Sequence, residues 1–237
     1  MSQVVGSDVT NSKLLPILLE LVKDEDGDVR LNSTSGLINL ADVLGSDLLN
    51  DSVISSLSQL TKDTQWRVRS AVYDLIADLG VALGKEQFQK HLKDIFFGFL
   101  TDTAASVRNE GIKKLGDLSV SYRNDWVIDE VVSKLNEIYD QDKQGYLYRM
   151  CVITASIEIA RSLSKSQINA HVVPILLKAC ADPVANVRIT VCKSIKKLMT
   201  IPEGAALGSN FKSSLSELSN DSDKDVAYYA YVAESAL

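Results

Sequence analysis

Apolar residues recur three and four positions apart along almost the whole chain, in blocks separated by short polar turns. The first block reads Leu14, Leu15, Leu18, Leu21 and Val22. Others run Val72, Ile76, Leu79 and Leu83, or Val191, Ile195 and Leu198. Spacings of three, four and seven set one apolar face on a helix of 3.6 residues per turn, and such a face needs a partner. Strand-like alternation is rare, and only four prolines and twelve glycines interrupt the pattern. An all-helical chain is predicted.

The turns are periodic. "DEDGDVR" ends at Arg30, "DTQWRVR" at Arg69, "DTAASVR" at Arg108, "DKQGYLYR" at Arg149, "DPVANVR" at Arg188 and "DSDKDVA" at Ala227. The steps between these ends are 39, 39, 41, 39 and 39. A second column, Leu18, Leu57, Phe96, Leu135, Leu176 and Leu215, repeats in step. Leu135 still lies 39 after Phe96, so the two extra residues of the fourth copy fall between Leu135 and Arg149. The aspartate that opens each turn suits an Asx-turn or N-cap, because its carboxylate accepts backbone N–H groups. Pro16 and Pro174 share one register, fourteen residues before Arg30 and Arg188. This predicts a bend built into the first helix of the unit.

Two helices per unit at a period near 40 define the HEAT or armadillo class, and the two-helix unit favours HEAT. One pair cannot bury its own apolar face, so stacked pairs share a continuous core. The expected fold is an all-α HEAT-repeat α-solenoid, a right-handed superhelix of antiparallel helix pairs. Six units are expected, at 11–46, 48–87, 88–124, 126–165, 168–204 and 207–237. Residues 1–10 read as the tail of a preceding unit or a linker. Neither end shows a polar cap, so a monomeric piece of a longer array is expected.

Composition narrows the function. The chain is 46% hydrophobic and 24% charged, as globular proteins are. It has no apolar run of about 18 residues, so no membrane span is expected. The opening "MSQVVGSDVT" lacks the basic-then-apolar pattern of a secretory signal. A net charge of −6 argues against nucleic acid as a partner. Cys151, Cys180 and Cys192 are odd in number and have no CxxC spacing, which suits buried thiols in a reduced, cytoplasmic or nuclear protein. With His91 and His171 eighty residues apart, no metal site, cofactor or catalytic constellation is expected. "GVALGK" lacks the spacing of a phosphate loop, and the lysines of "KSIKK" suit the solvated side of a helix.

The recurring pairs Asp24/Arg30, Asp63/Arg69, Asp102/Arg108 and Asp182/Arg188 are expected to form a structural ladder between neighbouring units. As exposed pairs they would each contribute about 0–1 kcal/mol. Residues that depart from the repeat say more about function. Trp66 and Arg67 stand where other turns carry Gly27/Asp28, Ala105/Ser106 and Ala185/Asn186. Tyr146 and Tyr148 sit beside the insertion, and Val184 follows Pro183 at a turn tip. Turns of stacked units project from one edge, and Trp, Tyr and Arg are typical anchors of protein interfaces. A partner-binding edge is therefore expected.

These stretches also carry a family resemblance. "DPVANVRITVCKSIKKL", "WRVR", "YLYRM" and "EDGDVRLNSTSGLINL" resemble the scaffolding A-type (65 kDa regulatory) subunit of protein phosphatase 2A, and the similarity suggests its C-terminal HEAT repeats. The resemblance implies a non-catalytic regulatory scaffold that binds the serine/threonine phosphatase catalytic subunit through its intra-repeat turns. It implies contacts from Trp66 and Arg67, from Tyr146, Tyr148 and Arg149, and from Val184, Ala185 and Asn186. It further implies that a regulatory B-type subunit binds only the full-length protein. The third turn departs from the family: Ala105 stands where an aromatic is usual, so no strong contact is expected there. The alternative class is another HEAT-repeat adaptor, such as a nuclear-transport-type carrier. That class would show acidic stretches or phenylalanine pockets on its inner helices, and "DEDGD" is the only dense acidic run. An enzyme on the same frame would need a convergent acid, base or nucleophile, and none is seen.

Overall fold

A computed structural model describes residues 2–122, 125–141 and 145–237, with side chains from residue 4 onward. Every regular element among the described residues is helical. The chain divides into two compact units, residues 1–114 and 115–237, with the boundary inside one helix.

In the first unit the helices pair as α1 (Leu15–Leu21) with α2 (Gly27–Leu44) and α3 (Asp51–Leu60) with α4 (Trp66–Leu83). The short α5 (Lys93–Phe96) comes next, followed by α6 (Ala105–Tyr122), which runs into the second unit. The second helices α2 and α4 pack along each other, and each also packs on the first helix of its own pair. The first helical run starts earlier than residue 11, since helix is present from Ser2 and is interrupted at Gly6. The core is layered by the repeat. Leu57 and Phe96 of the repeating column are fully buried, as are Val72, Ile76 and Leu79. Phe96 meets Phe88 edge-on at 5.6 Å and Phe99 at 5.2 Å, and Phe99 meets Tyr73 at 6.1 Å. Gly111 is needed here: a Cβ would lie 2.2 Å from the Phe99 ring.

The second unit holds α7 (Ser133–Asp140) with α8 (Gly145–Ala160), α9 (Val173–Cys180) with α10 (Ala185–Leu198), and α11 (Lys212–Leu218) with α12 (Lys224–Glu234). Helix α8 packs on α10, and α10 on α12. Leu135, Leu176, Leu215, Val191, Ile195 and Leu198 are fully buried.

The first helices carry π-turns where the sequence predicts a bend, and these turns do not depend on proline. Wide π-turns occupy Thr10–Leu14, Phe88–Leu92, Val127–Val132 and Ile168–Val172. After the first, second and fourth, the next N–H reaches back five residues: Leu15 to the Thr10 carbonyl, Lys93 to Phe88 and Val173 to Ile168. Pro16 and Pro174 follow two of these turns at a place where the missing N–H costs little. The other two π-turns form without proline, so proline is not what makes the π-turn.

The two extra residues of the fourth copy lengthen a helix. Helix α7 extends from Leu135 to Asp140, whereas α3 ends at Leu60, three residues after Leu57. Asp142, Lys143 and Gln144 of that turn lie outside the described residues, as do Arg123 and Asn124 of the unit expected at 88–124. Gly145 opens α8 with φ 70°, a left-handed conformation that favours glycine.

Candidate protein-binding edge

Five of the turns are each closed by their own aspartate. The Asp24, Asp63, Asp102, Asp182 and Asp221 carboxylates accept the backbone N–H two residues on, from Asp26, Gln65, Ala104, Val184 and Asp223. In four of these turns the same carboxylate receives the arginine of the preceding turn as a two-pronged fork. In the first unit Arg30 reaches Asp63 at 2.7 and 3.0 Å, and Arg69 reaches Asp102 at 2.7 and 2.8 Å. In the second unit Arg149 reaches Asp182 at 2.6 and 3.0 Å, and Arg188 reaches Asp221 at 2.7 and 2.9 Å. A further nitrogen of Arg30, Arg69 and Arg188 donates to the carbonyl of its own turn's aspartate, at 2.7–2.8 Å.

These are not the exposed pairs expected from sequence. The Arg69 and Asp102 side chains retain only 11% and 5% of their exposure. Their two-pronged, charge-assisted hydrogen bonds are stronger than neutral ones, and they offset the desolvation that burial imposes on both partners. Burial opposes ionisation of Asp63, but the Arg30 fork and the Gln65 N–H overcome it and hold the carboxyl below its usual range. The Arg188 fork does the same for Asp221.

The geometry also corrects the residue assignments. Arg149, grouped above with the partner contacts, also belongs to the ladder, forked to Asp182. Asp221 completes the ladder and was missed, although it lies 33 residues after Arg188, the same interval as the other rungs. Arg108 is buried and donates to the Asp102 and Thr103 carbonyls at 2.6 and 3.2 Å. The aspartate that opens the following turn, Asp142, lies outside the described residues. Among the described residues, the Asp24 carboxylate closes its own turn and receives no arginine fork.

Against this frame the departures from the repeat stand out. Trp66 is the first residue of α4 and remains 44% exposed. The Arg67 guanidinium lies over its ring at 5.6 Å. At the matching Gly27, the Gln65 side chain of the next turn fills the space where a Cβ would stand. The residue matching Gln65 one unit on is the small Ala104, which leaves the Trp66 site uncrowded.

In the second unit Tyr146 matches Trp66 in register and is exposed. Leu147 matches Arg67 and is also exposed; it was missed, though an apolar residue where other turns carry Asp28, Arg67, Ser106 and Asn186 is itself a signal. Tyr148 is only half-buried, at the place where Val68, Val107 and Val187 are fully buried. It therefore belongs partly to the stack. Val184 and Ala185 are half-buried and Asn186 is exposed, at the start of α10. The Arg149–Asp182 fork ties their turn to that of Tyr146. Among the described residues, no group of His, Cys, Asp and Glu could hold a metal ion, and no helix is long and apolar enough to cross a membrane.

The HEAT repeat model matches residues 14–44 and 172–201. The fold is a HEAT-repeat solenoid. This chain is 32% identical over 119 residues, 48% of its length, to the A-type regulatory subunit of protein phosphatase PP2A from Saccharomyces cerevisiae. It is 37% identical over 57 residues, 24% of its length, to the serine/threonine-protein phosphatase PP2A 65 kDa regulatory subunit of Drosophila melanogaster. These matches span 19% and 10% of the relatives' own lengths. Both relatives are named as regulatory, not catalytic, subunits, and the HEAT solenoid is a scaffold type of fold. A designed armadillo repeat protein, YIII(Dq)4CqI, aligns over 94% of this chain and 99% of its own at TM-score 0.44 and 18% identity.

Proposed function

We propose that this chain is a non-catalytic scaffold segment of the protein phosphatase 2A regulatory-A type, which holds the catalytic subunit of a phosphatase on its turns. The observation that carries the reading is the Trp66–Arg67 pair. A large aromatic and a cation, stacked on each other, stand exposed at a position where the repeat needs only a small residue. Pre-stacking limits the side-chain entropy lost on binding, as suits an interface anchor. Tyr146 and Leu147 repeat the same departure in the second unit, with Val184, Ala185 and Asn186 on the neighbouring turn. The names of the two relatives support a phosphatase complex as the class of partner.

The test is capture of the phosphatase 2A catalytic subunit by the purified chain. Replacing Trp66 and Arg67 together by alanine is expected to weaken capture by at least about thirtyfold, as for a central anchor of about 2 kcal/mol. Undiminished capture by a folded double variant would remove Trp66 and Arg67 from the interface.

A further inference from the structure

We propose that the outward sides of α10 and α12 dock an acidic peptide segment, on a surface separate from the turn edge. Helix α10 contains no aspartate or glutamate. Its exposed lysines, Lys193, Lys196 and Lys197, lie three and four residues apart and so share one side of the helix. The Lys193 ammonium rests 4.1 Å over the ring of Tyr229 on α12. Tyr229 meets Tyr228 edge-on at 5.3 Å, and Tyr228 stands 61% exposed. Lys197 is paired with Glu158 of α8, which also receives Arg161 at 3.5 Å. Among the described residues neither Lys193 nor Lys196 has a carboxylate within ion-pair distance. The acids of α12 sit at its ends, Asp225 and Glu234, with the tyrosines between them.

The surface thus offers two cations and an aromatic step on adjoining helices, inside a chain whose net charge is −6. Charge complementarity selects an anionic partner. Two cations form too short a track for the regularly spaced phosphates of a nucleic acid, and the acidic remainder of the chain repels such a polymer. A peptide with two or three carboxylates beside an apolar side chain matches both features: carboxylates for Lys193 and Lys196, and the apolar group against Tyr228. The turn-edge reading does not depend on this surface.

The test is fluorescence anisotropy of the full chain with a labelled twelve-residue peptide of alternating glutamate and leucine. Saturable binding that weakens with added salt is expected. Reversing both lysines (Lys193→Glu with Lys196→Glu) should weaken it by about tenfold or more, and Tyr228→Ala by a few-fold. Reversing Lys62 and Lys212, which lie elsewhere, should leave it unchanged; circular dichroism checks that every variant is folded. No saturable binding overturns the proposal. So does equal weakening by the control reversal, or equal binding of a single-stranded oligonucleotide with the same sensitivity to the lysine reversal, which would mark a general polyanion surface.

Discussion

Arg69 holds two turns with one side chain: its fork grips Asp102 of the next turn at 2.7 and 2.8 Å, while a third N–H holds the Asp63 carbonyl of its own at 2.7 Å. Lysine is a point donor and cannot reproduce that planar fork. Arg69→Lys is therefore expected to lose most of what Arg69→Ala loses, about 2 kcal/mol for charged hydrogen bonds left unmade. Urea unfolding followed by circular dichroism measures both. An Arg69→Lys variant as stable as the parent would show that charge, rather than the fork, holds the turns.

The same ladder makes the fold acid-sensitive. The Asp63 and Asp221 carboxyls are held below their usual range in the folded chain. Groups depressed on folding stabilise above their unfolded value, about 4, and that stability is lost as pH falls through the lower folded value. Urea midpoints should therefore drop between about pH 5 and pH 2. Asp63→Asn should be less stable than the parent at neutral pH and lose less across that window. A parallel drop in the two proteins would uncouple Asp63 from the acid response.

Phe96 is fully buried between Phe88 and Phe99. Phe96→Ala removes a ring from a packed layer and is expected to cost about 3–5 kcal/mol. Because each repeat touches mainly its neighbours, the loss should be local. Hydrogen exchange should quicken in α4 and α5 and stay unchanged in α11 and α12. Uniform quickening along the chain would contradict the local response.

Burial pushes the Cys180 thiol up to about 12 and the Cys192 thiol up to about 11. The thiolate is the reactive species, so both should resist iodoacetamide at about pH 8 in the folded chain. Denaturant should make all three cysteines reactive. Rapid labelling of Cys180 or Cys192 under native conditions, read by mass spectrometry, would place them nearer the surface.

The sequence by itself determined the all-helical HEAT repeat, its register and the apolar column, because helical periodicity and a period of 39 are one-dimensional facts. It also exposed Trp66, Arg67 and Tyr146 as departures from that register. The tertiary structure decided the rest, because only packing tells which side chains meet. It paired Arg30, Arg69, Arg149 and Arg188 with the aspartate of the following turn and buried the forks. It put Arg149 in the ladder and brought in Asp221. It gave Tyr148 partly to the stack, and it placed the insertion at the end of α7. It also set Lys193 over Tyr229, since two residues 36 apart on separate helices become neighbours only when the helices pack side by side.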